Sequence, residues 1–152
     1  MMAELMIRKM EVKDIPQVME VELASFQTHW PEDIFHQEVV ENQHAHYFVM
    51  VLDNKIIGYA GLWIVLDDAQ ITNIAILPKF RGNKLGEKLF QYVAYQAMKN
   101  GVKRLSLEVR KSNVIAQKMY RKFGLVPGGI RKNYYTDDQE DAIVMWVKLN
   151  EE

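Results

Sequence analysis

The stretch from residue 71 to residue 86 joins an apolar segment, a proline and a short loop that contains arginine and two glycines. It predicts a strand over residues 70–77 that leads through this loop directly into a helix. The first N–H groups of a helix have no partner within the helix, and together with the helix dipole they favour an anion such as phosphate. Gly82 and Gly86 allow a ligand to approach the backbone closely. The sequence therefore predicts a site for a phosphorylated cofactor.

Two common nucleotide-binding loops are excluded at this position. A P-loop has Lys-Ser or Lys-Thr directly after its last glycine, whereas Glu87 and Lys88 follow Gly86 here. The G-x-G-x-x-G spacing of a dinucleotide-binding loop is also absent. Considered alone, the segment leaves an ordinary strand-to-helix turn open as an alternative.

Glu108 is a candidate acid or base on a strand predicted over residues 104–110. Alternation places it on the face opposite the apolar residues Leu105, Leu107 and Val109. A carboxylate near the C-terminal end of a strand is well placed for a crevice in an open α/β sheet. An ion pair with Arg110 or another neighbour is an equally simple role for Glu108.

Tyr120 and Asn113 lie on or beside a helix predicted over residues 112–123. A tyrosine on an apolar helical face is more often part of the core than a catalytic group, although its hydroxyl needs a partner when it is buried. Asn113, like Ser112 before it, is a candidate cap for this helix.

A polar and aromatic cluster follows near the end of a strand predicted over residues 126–135. It is either an exposed aromatic edge or a wall for a peptide. Its members are Arg131, Asn133, Tyr134 and Tyr135.

Composition narrows the class of protein. The chain has 152 residues, of which 49% are hydrophobic, and this predicts one domain over residues 1–152. Its formal net charge of −1 predicts no global attraction for nucleic acid or membranes. The absence of cysteine excludes disulfides and thiol nucleophiles and favours a cytoplasmic location. The N-terminal ten residues lack the apolar core of a signal peptide, and the spacing of the four histidines predicts no metal site.

Apolar periodicity predicts strands and helices in the order βααβββαβαββ. The predicted strands cover residues 5–10, 47–52, 56–66, 70–77, 104–110, 126–135 and 142–149. Helices are predicted from Asp14 as a cap, from Pro31 to Glu41, from Lys84 to about Asn100 and over residues 112–123. The first helix is predicted to direct one face inward, made of Ile15, Val18, Met19 and Leu23. The expected fold class is α/β, a mixed sheet of about seven strands flanked by about four helices.

Three segments taken together resemble the GNAT family of N-acetyltransferases. They are the strand and loop Asn73-Ile74-Ala75-Ile76 with residues 81–86, the run LEVR with Ser112-Asn113 and Tyr120, and the run RKNYY followed by Glu140-Asp141-Ala142. The resemblance covers nearly the whole chain, and the last two runs are similar to the RimI branch, which acetylates the N-terminal alanine of a small-subunit ribosomal protein. One departure is Lys84, which stands where the family usually has its first loop glycine.

The resemblance implies a role for each matching residue. Acetyl-CoA is implied as the acetyl donor, with backbone groups of Ile74, Ala75 and Ile76 on its pantetheine arm and acetyl carbonyl. Its pyrophosphate is implied to lie against Arg81, Gly82, Asn83, Lys84, Leu85, Gly86 and Glu87, and Asn113 also touches the cofactor. Glu108 is implied as the general base and Tyr120 as the general acid, whereas Arg131, Tyr134 and Tyr135 would contact the peptide. No metal is implied.

Two alternatives stay open at this stage. The first is an acetyltransferase of the same fold for lysine side chains or small amines. The second is a non-catalytic sensor of acetyl-CoA, which needs neither an acid nor a base and is therefore disfavoured by the pair Glu108 and Tyr120.

Overall fold

The computed structural model describes residues 4–26 and 29–149, and in this part the chain forms one sheet of seven strands with four α-helices. The strands are β1 (Leu5–Lys9), β2 (Ala45–Leu52), β3 (Lys55–Val65), β4 (Asp68–Ile76), β5 (Arg104–Arg110), β6 (Val126–Arg131) and β7 (Ala142–Lys148). The helices are α1 (Ile15–Ser25), α2 (Glu32–Val40), α3 (Leu85–Lys99) and α4 (Val114–Lys122). The predicted element order and fold class are confirmed.

The strand order is β1-β2-β3-β4-β5-β7-β6, and every neighbouring pair is antiparallel except β4 and β5. The parallel pair is short, since only residues 68–70 of β4 pair with residues 104–106 of β5. Both strands continue beyond this pairing, to Ile76 and to Arg110. Their C-terminal halves therefore separate and leave an opening in the middle of the sheet.

A bulge in β4 lies just beyond the point where the two strands separate. Gly61 of β3 pairs with Asn73, while the next residue of β3, Leu62, pairs with Ile71, so Thr72 is the extra residue. A bulge of this kind bends its strand and changes which side chains point to each face. Before the bulge Ile71 faces the core beneath α3, and after it Ile74 and Ile76 face that core.

Each face of the sheet carries its own hydrophobic core. On one face α3 buries Leu89, Val93 and Ala97 completely, as the helical spacing predicts. On the other face α1 and α2 pack against β2 and β3 around Phe35 and Tyr59, which are fully buried. Within the described residues no helix is long and apolar enough to cross a membrane.

The predicted face of α1 is partly wrong. Ile15 and Val18 are fully buried, but Leu23 is 55% exposed and Glu22 is only 2% exposed. Periodicity alone assigns a glutamate to solvent, whereas Glu22 is buried because the Tyr59 hydroxyl of β3 donates a hydrogen bond to it. The partner lies on another element, so the local pattern could not reveal it.

The Asp14 carboxylate does not cap α1, contrary to the prediction. It accepts a hydrogen bond from the Glu11 backbone N–H and pairs with Arg8 at 2.7 Å. The Arg8 guanidinium holds the pKa of Asp14 below its ordinary value, against the opposing effect of burial. Asp14 therefore joins β1 to the short 3-10 turn before α1.

Several predicted boundaries also shift by one or more residues. The second helix begins at Glu32, because Pro31 has extended backbone angles and stands before the first helical turn. The strand predicted over residues 126–135 ends at Arg131, and the chain then turns at Asn133, which has a positive φ of 54°. Arg131 thus lies at the end of β6, whereas Tyr134 and Tyr135 lie in the loop that follows.

Close packing of β3 against its neighbours gives the first testable prediction. A methyl group added at Gly61 would lie 2.6 Å from Thr72 Oγ1 and closer still to the ring of buried Tyr47. Gly61→Ala is therefore expected to lower the free energy of unfolding by about 1–3 kcal/mol, measured by urea denaturation.

Gly86→Ala is the matched control, because an added methyl in α3 meets nothing nearer than Met119 Sδ at 3.9 Å. This variant is expected to keep or raise the free energy of unfolding, by up to about 1 kcal/mol. Equal stability of Gly61→Ala and the wild type would contradict the packing described for β3.

Candidate active site

The loop between β4 and α3 is held in place by Arg81. Its Nε donates to the Ile76 carbonyl at 2.8 Å, and its Nη2 donates to Ser25 Oγ at 3.2 Å. The guanidinium therefore ties the loop to the end of β4 and to α1. The predicted contact of Arg81 with the pyrophosphate stays a prediction, and the backbone of Arg81 is part of the loop.

Backbone N–H groups without an acceptor are concentrated where α3 begins. In the described structure none of the backbone N–H groups of residues 82–87 donates a hydrogen bond, and the first that does is that of Lys88, to the Lys84 carbonyl. Gly82 has a φ of 86°, and no atom lies within 4 Å of the place where a Cβ would stand. Open space, several donors and the positive end of the helix dipole suit a pyrophosphate.

Lys84 adopts a conformation that glycine takes readily. Its φ is 61° and its ψ is 18°, in the left-handed region, and it is the residue directly before the first turn of α3. A side chain in this region costs roughly 1–2 kcal/mol. The loop thus makes its left-handed turn at a lysine, at the cost of local strain.

Glu87 and Asn113 stabilise the two helices that border this end of the sheet. The Glu87 carboxylate pairs with Lys122 Nζ at 3.1 Å, which joins the first turn of α3 to the end of α4. Asn113 caps α4, since its Oδ1 accepts the Ala116 N–H at 3.1 Å. The predicted cap is confirmed, whereas the carboxylate of Glu87 is engaged with α4.

Glu108 lies on β5 in the part that has separated from β4, and only 10% of its side chain is exposed. Its Oε1 is 3.1 Å from Arg131 Nε and accepts a hydrogen bond from Gln70 Nε2 at 3.3 Å. A hydrogen bond with Glu108 is the main reason that the pKa of Tyr134 rises to about 12. The nearly buried Glu108 carboxylate thus interacts with the Arg131 guanidinium, the Gln70 amide and the Tyr134 hydroxyl.

Arg110 does not pair with Glu108, and it organises the loop between β6 and β7 instead. Its guanidinium contacts the carboxylates of Asp137 at 2.7 Å, Asp138 at 3.0 Å and Glu140 at 3.2 Å. It also stacks over the ring of Tyr135 at 3.9 Å. Three acidic groups and one ring around a single guanidinium hold this loop beside the end of β5.

Tyr134 and Tyr135 form an edge-to-face pair with ring centroids 5.1 Å apart. Arg131 lies 5.8 Å from the centre of the Tyr134 ring, and Tyr134 remains 43% exposed. The pair forms an aromatic wall next to Glu108, with one ring accessible from outside.

Tyr120 is 5% exposed, and its ring packs against Phe90 of α3 at 5.4 Å between centroids. Burial raises its pKa above the ordinary value, and Tyr135 adds to the effect. Its hydroxyl therefore keeps its proton at neutral pH and can act as a proton donor. Tyr120 belongs to the core beneath α3.

The structure thus brings Glu108, Arg131 and Tyr134 together, whereas Tyr120 packs in the core beneath α3. Sequence reasoning missed Gln70 and the loop acids Asp137 and Asp138. Nothing in the local pattern marks Gln70, because its role depends on the parallel pairing of β4 with β5. In the part of the chain that the structure describes, no group of three or more His, Cys, Asp or Glu side chains could hold a metal ion.

The model of the acetyltransferase (GNAT) family matches residues 11–125, which is most of the chain. The chain belongs to the GNAT acetyltransferase family. It is an acetyl-transferring enzyme, and acetyl-CoA is the donor that this family uses.

Two curated relatives of similar length have names that are more specific than that of the family. A Bacillus subtilis (strain 168) protein, named as a candidate ribosomal protein bS18-alanine N-acetyltransferase, is 54% identical over 145 residues, which cover 95% of this chain and 96% of that protein. The ribosomal protein bS18-alanine N-acetyltransferase of Escherichia coli (strain K12) is 35% identical over 148 residues, covering 95% of this chain and 97% of that protein.

A solved structure has the same fold over almost its whole length. It is the ribosomal-protein-S18-alanine N-acetyltransferase of Escherichia coli, which superposes with a TM-score of 0.91 at 31% identity. The match covers 98% of this chain and 96% of that one. The resemblance to the RimI branch is therefore confirmed.

The position of Arg110 leads to a prediction about the loop between β6 and β7. Arg110→Gln removes the charge that neutralises Asp137, Asp138 and Glu140. The amides of residues 133–140 are then expected to exchange hydrogen at least about fivefold faster, which corresponds to roughly 1 kcal/mol of local opening. Hydrogen exchange followed by mass spectrometry measures this change.

Arg104→Gln is the control, because Arg104 stacks over Trp146 at the opposite end of β5. This variant should leave exchange in residues 133–140 unchanged. If Arg110→Gln also leaves it unchanged, the loop does not depend on the guanidinium.

Proposed function

We propose that this enzyme transfers the acetyl group of acetyl-CoA to the N-terminal α-amine of a small-subunit ribosomal protein that begins with alanine. The observation that carries the proposal is the nearly buried Glu108 carboxylate at the opening between β4 and β5, beside an aromatic wall. The names of the curated relatives support the choice of substrate.

The loop before α3 is proposed to hold the pyrophosphate of the donor. Its fit rests on the unused N–H groups of residues 82–87 and on the open space at Gly82. Ile74, Ala75 and Ile76 supply backbone groups on the edge of β4 that β5 has left, and Asn113 is proposed as a further contact. The donor supplies an acetyl group already activated as a thioester.

Glu108 is proposed as the general base. A protein α-amine has a pKa of about 7.7–8.0, so much of it is protonated near neutral pH and must lose a proton before it reacts. A carboxylate can accept this proton directly or through water. Arg131 and Gln70 fix the orientation of the Glu108 carboxylate, which stays beside the opening between β4 and β5.

Tyr120 is proposed as the general acid. Because burial raises its pKa, the phenol carries its proton throughout the range in which the amine is deprotonated. Donating this proton to the departing sulfur would make the thiol a better leaving group. No covalent enzyme intermediate is required, in agreement with the absence of cysteine.

Tyr134 and Arg131 are proposed to contact the peptide, together with Tyr135. The exposed face of the Tyr134 ring offers apolar area at low conformational cost, as expected for a surface that receives an extended chain end. A small-amine substrate would not require such an aromatic wall for binding.

The decisive experiment is incubation with acetyl-CoA and a short peptide that begins with the alanine of the host's own ribosomal target, read by mass spectrometry. A peptide with a blocked N-terminus and a free lysine is the control. One added acetyl group on the free N-terminus alone supports the proposal. Acetylation of the control would assign the enzyme to lysine side chains. Bound acetyl-CoA with no product on either peptide would instead favour a sensor or another amine.

Substitution of the two proposed proton-transfer groups should lower turnover without unfolding the protein. Glu108→Gln and Tyr120→Phe are each expected to reduce kcat by about 10²- to 10⁴-fold, the range typical of general acid–base catalysis. Tyr92→Phe is the matched control, since Tyr92 packs on Phe48 at a distance from Glu108 and should keep its kcat. Near-native turnover in both folded variants would rule out the assignment.

Lys84 leads to a prediction about the donor site. Because its backbone already has the glycine-like conformation, its side chain adds a positive charge beside the proposed pyrophosphate site. Lys84→Gly and Lys84→Ala are expected to raise the Kd for acetyl-CoA by about two- to fivefold, a typical loss for one exposed charge contact. Calorimetric titration at two salt concentrations measures it.

The two variants separate charge from strain. Both lose the ammonium, but only alanine must hold the left-handed φ at a cost, so Lys84→Ala should also be the less stable of the two. Tighter binding by Lys84→Gly would mean that the lysine weakens the donor site.

A further inference from the structure

Asn73 has a side-chain oxygen with no partner. Its Oδ1 is buried, and it makes no hydrogen bond within the described part of the chain. Buried polar atoms are nearly always hydrogen-bonded, and each exception needs a physical explanation. Asn73 lies on β4 directly before Ile74, in the part of the strand that β5 has left.

The face of the sheet on which Asn73 lies is also that of Glu108. Leu107 and Val109 face the core beneath α3, so Glu108 between them faces the opposite way. In β4, Ile74 belongs to the same core beneath α3, so its neighbour Asn73 faces the side of α1, α2 and Tyr59. The unpartnered acceptor and the proposed base thus share one face, on either side of the opening.

Asn73 lies beside a buried hydrogen-bond relay. The Tyr59 hydroxyl donates to Glu22, and the other oxygen of Glu22 accepts the Trp30 backbone N–H at 2.8 Å. Burial raises the pKa of Tyr59 well above its ordinary value and Glu22 raises it further, whereas the amide of Asn73 acts in the opposite direction. The Asn73 amide is thus next to the relay, while its Oδ1 has no partner.

We propose that the Oδ1 of Asn73 accepts an N–H from the substrate's α-amine, and that Tyr59 and Glu22 position the Asn73 amide for this contact. The inference rests on the proposed function, since it requires an amine beside Glu108. A primary amine has more than one N–H, so it can give one proton to Glu108 and keep another on Asn73. Asn73 would thereby aim the nitrogen lone pair while the base removes the proton.

Asn73→Leu tests the contact, because leucine is similar in size and cannot accept a hydrogen bond. The KM for the alanine-starting peptide is expected to rise about tenfold or more, while the KM for acetyl-CoA stays within twofold of wild type. In titrations with CoA present, the peptide should bind the variant correspondingly more weakly. This second measurement needs no turnover.

The difference between the two substrates distinguishes this role from a structural one. Asn73→Leu also loses the amide nitrogen beside Tyr59, so the midpoint of urea unfolding is expected to fall modestly, whereas only a contact with the amine raises the peptide KM and leaves the acetyl-CoA KM unchanged. An unchanged peptide KM in Asn73→Leu, or a rise in the acetyl-CoA KM to the same extent, overturns the inference.

The chain also offers a matched pair for the positioning residues. Tyr59→Phe breaks the relay to Asn73, and Tyr47→Phe breaks an equivalent buried bond from Tyr47 to Glu38. Both should lose stability, but only Tyr59→Phe should raise the peptide KM, by about three- to tenfold. Equal peptide KM values in the two variants would contradict the positioning role.

The two proposals fail in different ways. If the wild type binds acetyl-CoA and acetylates no N-terminal alanine, the proposed function fails. If the wild type acetylates the peptide and Asn73→Leu does so with the same KM, only the inference about Asn73 fails.

Discussion

The early separation of β4 from β5 is the constraint on which the rest of the structure depends. Parallel strands normally continue side by side, whereas these two pair over three residues and then leave both edges open. The opening leaves backbone groups of β4 without a neighbouring strand, and the nearly buried Glu108 lies on the separated part of β5. A ligand can therefore lie within the sheet at its C-terminal edge, where open α/β sheets characteristically bind their ligands.

The surrounding elements keep this opening from collapsing or closing. Arg81 ties the loop before α3 to the end of β4 and to α1, while Glu87 and Lys122 join α3 to α4. On the other side Arg110 holds the loop between β6 and β7 through its three carboxylates. Several of the side chains in these ion pairs are partly exposed to water, so the pairs fix positions rather than supply a large part of the stability.

Buried glutamate side chains are a second consistent feature of the region around α1 and α2. Glu22 and Glu38 are both almost inaccessible, and each meets a tyrosine hydroxyl from the sheet. A glutamate without such a partner would be costly at these positions. These hydrogen bonds fix the orientation of α1 and α2 on the sheet more specifically than apolar contacts alone would.

Three features follow from the sequence alone: the order of strands and helices, the loop from Arg81 to Gly86, and the resemblance to the GNAT family. These are local features, because periodicity, proline and glycine act within a few residues. The same local reading placed Glu108 opposite the apolar residues of β5, and burial along that strand agrees with it. It extended the strand after residue 126 too far, since the turn at Asn133 is stabilised by Asp141 across the loop.

Which side chains contact one another depends on how the elements pack together. Glu108 could have paired with Arg110 or another neighbour, and it is Arg131 that approaches it, because the loop acids occupy Arg110. Gln70 beside Glu108 and the relay behind Asn73 likewise depend on strand register and on a single bulge. Such contacts join residues that are far apart in the chain, and only packing between elements brings them to within a few ångströms.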